Sequence, residues 1–167
     1  MTTYSASFPV PSNITEIING CTAGLGAVGV IGGAIGPGAD LAVIGPVWIG
    51  MTLAIADAAD ITMDQNMAKK IVYATATGVG SFAGGAKIAS TVAAWLLAIP
   101  SAGASLLISM AGNAALNAKL THAYGMAVAR YFLQTDDFDN GDVVVQVLLA
   151  LIALQFGLGI DNPYVTR

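Results

Sequence analysis

Charge is what this sequence has least of. Six Lys or Arg and ten Asp or Glu make up 10 % of the chain, against roughly 25 % in typical soluble domains. A solitary domain in water needs a charged shell, and this supply is barely enough for one of 167 residues. Apolar surface must then be covered by lipid or by other protein. The net charge of −4 also argues against nucleic acid, because phosphate binding wants clustered Lys and Arg.

Cysteine and histidine are nearly absent. Cys21 stands alone, which excludes an intrachain disulfide and a cysteine-based metal site. With His122 as the single histidine, a zinc site of the usual kind is excluded as well. No Ser–His–Asp set or carboxylate pair can be built from spacing, since the acids fall in turns. The chain is therefore expected to be no enzyme and to carry no cofactor and no metal. "MTTYSASFPVPSNITEI" has no Lys or Arg ahead of its apolar stretch, so it makes a poor signal peptide and implies synthesis into the cytoplasm.

Small apolar residues are what the sequence has in abundance. Thirty Ala and twenty Gly make nearly a third of the chain, and 56 % of it is hydrophobic. Residues 1–12, with Pro9 and Pro11, read as an extended arm. "SNITE" offers Ser12 or Asn13 as a helix cap, with Glu16 in the first turn where its charge suits the dipole. Ile17 to Ala39 is free of charge for 23 residues. As one helix that is ~34 Å, enough for a ~30 Å hydrocarbon core. Asp40 can cap a segment from Leu41 to Ala56, which carries Pro46. "DAADITMDQNMAKK" marks a surface connection, followed by a helix from about Asp64 to Phe82. Ile88 to Ala118 is again charge-free, for 31 residues, and Pro100 divides it into two helices. The second continues to about Gln134. The acidic turn "TDDFDNGD" then caps a last helix, Val143 to about Leu158, which is hydrophobic all round. A strand is conceivable only at "VVV". The expected fold is all-α: five or six apolar Ala/Gly-rich helices in hairpins, a single domain over residues 13–160 and a tail over 161–167.

"GLGAVG", residues 24–29, matches a dinucleotide-binding fingerprint. That fingerprint must follow a strand and be followed by an acid about twenty residues on. Here helix precedes it and Asp40 lies too near, so a cofactor loop is rejected. Gly26, Gly29, Gly33 and Gly36 instead recur at spacings of three, four and three, on one helical face. Such a stripe lets another backbone approach closely, and compensates for a helix penalty of up to ~1 kcal/mol per glycine. "GVGSFAGGAK" lacks the Gly-Lys-Ser/Thr ending of a nucleotide-binding loop. "DDFDNGD" fails as a calcium loop, because Phe138 and Val147 would stand where oxygen ligands belong.

Polar residues concentrate on the long helix after Pro100. Asn113, Asn117, Thr121 and Tyr124 fall within ~80° of arc, with Lys119, His122, Met126 and Arg130 opposite. Asp40, Asn113, Asn117 and Thr121 are the candidates for polar contacts between helices.

"PGADLAVIGPVWIGMTLAIAD", followed by "IPSAGASLLISMAGNAALNAKLTHAYGMAVARYF", resembles the YcjF-type, GTPase-associated helical domain family of unknown function in bacteria. Pro37, Ala39 and Asp40 stand at its Pro–x–Ala–Asp turn, Ile99 and Pro100 at its Ile–Pro turn, and Thr121, Ala123 and Gly125 in its Thr–x–Ala–x–Gly stretch. Ser101 replaces the family's usual glycine. The resemblance spans about residues 30–134. It implies a membrane-associated helical module acting with a GTPase or other protein partner, without a known reaction.

The expectation is a protein that lies in or against a membrane on its cytoplasmic side, contacts lipid, and forms a homo-oligomer through its glycine face. The rival is a water-soluble homo-oligomeric scaffold with apolar helices buried between subunits. If the glycine face drives assembly, Gly29→Leu with Gly33→Leu lowers the oligomer size measured by light scattering. An unchanged size returns the segment to an ordinary linker.

Overall fold

The chain turns helical at the carbonyl of Pro11. That oxygen accepts the Thr15 amide at 3.0 Å and the Thr15 hydroxyl at 3.0 Å. Helix α1 accordingly covers Ser12–Gly32, and Glu16 falls outside its first turn. The helix starts earlier than a Ser12 or Asn13 cap implies because Pro11, with its φ already set, supplies the first i→i−4 acceptor. The computed structural model describes residues 3–32, 39–81, 105–135, 140–158 and 162–167. Among these, α2 spans Ala39–Ala58, α3 Gln65–Ser81, α4 Ser105–Phe132 and α5 Gly141–Gln155. The class is all-α, with packed helices. Both proline elbows, in 33–38 and 82–104, lie outside the described residues.

Capping chemistry sets the ends of these helices. The Asp64 carboxylate accepts the Met67 amide at 2.7 Å and so caps α3. Asn140 does the same for α5, accepting Val143 N–H at 3.3 Å, and Asp142 sits in the first turn. Helix α5 stops at Gln155 rather than near Leu158 because Gly157 adopts φ 73° and turns the backbone. Leu158 N–H then reaches Ala153 O and Gly157 N–H reaches Leu154 O, each at 3.0 Å, which satisfies two orphan carbonyls. Helix α2 ends in the same way with an aspartate at the turn. Asp60 takes φ 58°, Ile61 N–H meets Ala56 O at 2.9 Å, and Asp60 N–H meets Asp57 O at 3.1 Å. Pro46 lies inside α2 on its exposed side.

Contacts between helices fix their directions. Trp48 meets Thr121 and Thr52 meets Tyr124, so α2 and α4 run parallel. Gly125 faces Ile18 of α1 and Met51 of α2, while Phe8 ahead of α1 meets Arg130, so α1 runs antiparallel to α4. Lys119 lies over Phe156 and Gln155 reaches back to Ala123 O, which makes α5 antiparallel to α4. The short connection from Ala58 to Gln65 starts α3 where α2 ends, and Gly78 packs against Leu149 of α5. The start of α1, end of α2, start of α3, end of α4 and start of α5 therefore share one end of the bundle. One core joins all five helices, with Ile14, Ile18, Met51, Ile55, Val72, Tyr124, Leu148 and Leu151 among its buried side chains.

The arm and tail differ from expectation. "VVV" is helical, within α5, and the strands lie instead at the two ends of the chain. Tyr4–Ser5 (β1) pairs in parallel with Val165–Thr166 (β2). Tyr4 N–H donates to Tyr164 O at 2.7 Å and Ala6 N–H to Thr166 O at 2.8 Å. Neither segment has strand periodicity. The pairing exists because Tyr4 is buried and stacks on Tyr131 of α4, with ring centroids 4.8 Å apart.

Two glycine environments follow from this packing. A Cβ on Gly125 would stand 3.0 Å from Ile18 and from the Met51 sulfur, whereas one on Gly24 meets nothing within 4 Å. Gly125→Leu is expected to destabilise the fold by ~1–3 kcal/mol or more through overpacking. Gly24→Ala is expected to stabilise it by about 0.5–1 kcal/mol by removing backbone entropy from the unfolded chain. Urea unfolding of the two variants checks both signs.

Candidate functional site

Helix α4 organises the polar chemistry of the interior. Its Thr121 and Tyr124 are fully buried, and Asn117 is nearly so at 9 % exposure. The opposite side holds Lys119, exposed, with His122, Met126 and Arg130 half-buried. Burial lowers the proton affinity of the Arg130 guanidinium. The Lys119 ammonium lies 5.0 Å over the Phe156 ring, a cation–π contact that holds the end of α5 against α4.

Four side chains join α2 to α4 in a closed cluster. Trp48 Nε1–H donates to Thr121 Oγ1 at 3.0 Å. The Thr52 hydroxyl donates to Trp48 O at 2.7 Å, four residues back on its own helix. Its oxygen is also 2.7 Å from the Tyr124 hydroxyl. Since the Thr52 proton is committed to the carbonyl, Tyr124 donates. The Trp48 and Tyr124 rings stack with centroids 4.1 Å apart and planes 5° from parallel. Burial pushes the Tyr124 phenol above its ordinary range. A phenol held neutral and already spent on an internal partner is a structural donor rather than an acid–base group.

The sequence candidates fall unevenly around this cluster. Thr121 bonds across to Trp48, and Asn117 is buried one turn before it. Asn113 lies further up α4 and Asp40 in the first turn of α2. Gly26 and Gly29 are in α1, while Gly33 and Gly36 lie outside the described residues. Trp48, Thr52, Gly125 and Gly78 were not singled out by sequence reasoning as packing or contact residues. One signal pointing to them is the i, i+4 pair Trp48–Thr52, an aromatic donor and a hydroxyl on one face of an otherwise apolar helix.

The bundle also has two unlike ends. Glu16, Asp57, Asp60, Asp64, Lys70 and Asp142 are all exposed, and all belong to the end where α1, α3 and α5 begin. Towards the other end the described residues lose their charge: the stretches 25–32, 39–44, 71–81 and 105–118 hold one charged residue, Asp40. A cleft of about 530 Å³ at the charged end is lined by Asp57, Asp60 and Thr62. No group of three His, Cys, Asp or Glu able to hold a metal ion occurs among the described residues. No helix among the described residues is long and apolar enough to cross a membrane.

Compared with known protein families, curated proteins and solved structures, the chain matches none.

The cluster generates a double-mutant test. Thr52→Val leaves the Tyr124 hydroxyl buried without a partner and is expected to cost ~1–3 kcal/mol. Thr52→Val with Tyr124→Phe removes both partners, so its loss is expected to fall short of the two single losses added together. Strict additivity in urea unfolding removes the coupling.

Proposed function

We propose that this chain is a non-enzymatic helical module that associates with a membrane on the cytoplasmic side and self-associates. The observation that carries this reading is the polarity of the bundle, with charge, among the described residues, gathered at one end and nearly absent towards the other. Water tolerates the charged end, and the apolar end gains by facing lipid or another copy of the chain. The spacing of Gly26, Gly29, Gly33 and Gly36 in the sequence supports a seam along which two copies approach closely. The likeness to the YcjF-type domains adds a GTPase or another protein as a partner.

A second reading is a water-soluble homo-oligomeric scaffold. It is favoured by the finding that no described helix is long and apolar enough to cross a membrane. The Ala-rich composition favours it too, because a methyl side chain gains little from transfer into lipid.

Flotation with vesicles of phosphatidylcholine and phosphatidylglycerol separates the two. The membrane reading expects the protein in the vesicle fraction, resistant to carbonate and released by detergent. Recovery of one large lipid-free species by light scattering overturns it in favour of the scaffold.

A further inference from the structure

The arm and tail form more than a ladder. Gln134, just past the end of α4, pairs with Ser5 as a neighbouring strand would. Its Oε1 accepts Ser5 N–H at 2.7 Å, and its Nε2 donates to Ser5 O at 3.2 Å. The same Nε2 is 2.8 Å from Arg130 O, which aims the amide. Arg130 Nε donates to Phe8 O at 3.4 Å, and Thr166 Oγ1 donates to Tyr4 O at 3.4 Å. A strap of residues 4–8, held by the tail on one side and by α4 on the other, thus leads directly into α1.

What α1 does on α4 is different in kind. Ile14, Ile18 and Leu25 are buried, at spacings of four and seven that form one helical face. Ile18 packs against Gly125, where a Cβ would stand 3.0 Å from it. Apolar contact of this kind loses its driving force where lipid replaces water, whereas directional hydrogen bonds keep theirs. Helix α2 is joined to α4 by the Trp48–Thr121 and Thr52–Tyr124 bonds. The strap supplies α1 with ties of that sort. A ladder of two residues per strand is marginal on its own, so it belongs to the part of a fold that opens first.

We propose that this strap is a latch on α1. Closed, it keeps the Ile14–Ile18–Leu25 face on α4; open, it lets α1 lift and lay that face into a lipid surface as an interfacial helix. The outward side of α1 is polar at its start, with Asn13, Glu16 and Asn19 exposed. The proposal rests on the membrane reading and adds the element that regulates contact.

Ser5 and Thr166 are register partners. Neighbouring strands lie ~4.8 Å apart, within the Cα range a disulfide spans. The test uses Ser5→Cys with Thr166→Cys in a Cys21→Ser background, oxidised or reduced, on phosphatidylcholine–phosphatidylglycerol vesicles. Flotation measures binding, and amide hydrogen exchange follows residues 12–25. Oxidation is expected to weaken vesicle binding by about tenfold or more, because it removes the competent state. Reduction restores binding. Tyr4→Ala and Gln134→Ala are each expected to strengthen it and to speed exchange in α1. Equal binding in oxidised and reduced forms, with wild-type protein floating, overturns the latch and leaves the membrane reading standing. Absence of flotation in every form, Tyr4→Ala included, overturns both. Exchange in residues 12–25 that ignores the state of the strap, with or without vesicles, overturns the latch alone.

Discussion

The structure depends on the face-to-face contact of Trp48 with Tyr124. Stacking at 4.1 Å brings α2 and α4 together at a fixed height, and the hydroxyls of Thr52 and Thr121 close the arrangement with hydrogen bonds. Most of the interior is aliphatic and non-directional, so any of several registers would bury similar area. Two aromatic rings carrying polar atoms have far fewer acceptable partners, because an unpaired indole N–H or phenol in the core is costly. The cluster therefore selects one parallel register of α2 on α4. From that register follow the placement of Gly125 between Ile18 and Met51 and the antiparallel path of α1.

Charge is spent sparingly and at one end. Among the exposed acids, Asp64 caps a helix and Asp142 faces the positive end of a dipole, while Asp57 lies in the last turn of α2. Asp60 departs from this economy. It holds a left-handed turn with φ 58°, a conformation that costs a side-chain-bearing residue ~1–2 kcal/mol, where α5 uses Gly157 for the same geometry. The strap adds polar contacts at this end from backbone atoms and an amide. An end built from caps, turns and a short ladder suits contact with water.

Much of the fold was legible along the chain. Two helix starts were close to expectation: the helix read from about Asp64 begins at Gln65, and the acidic turn precedes α5. The stripe of Asn117, Thr121 and Tyr124 was visible as an arc on one helix, and the three are buried together. Less legible were the partners. Nothing in the spacing of Thr121 indicates Trp48, which lies 73 residues earlier. The glycine pattern drew attention to Gly26, Gly29, Gly33 and Gly36; nearer the start of α1, Gly20 and Gly24 face open space. Gly125 and Gly78, away from that run, each have a neighbour pressed against them. Density of glycine is a property of sequence; closeness of approach is a property of the crossing.

The class of the protein was contained in its residues. Low charge, abundant Ala and Gly and long uncharged runs broken by proline allow apolar helices and little else, because such segments can satisfy their backbone only internally. Helix termini were local as well, since a cap needs only the next three residues. The meeting of the two chain ends had to await the folded molecule, as Tyr4 has no strand pattern and finds its place only against a ring presented by α4. The same holds for the gathering of charge at one end, which is invisible until helix directions are known. Tertiary packing chose these features because they join residues whose separation along the chain leaves no trace in local pattern.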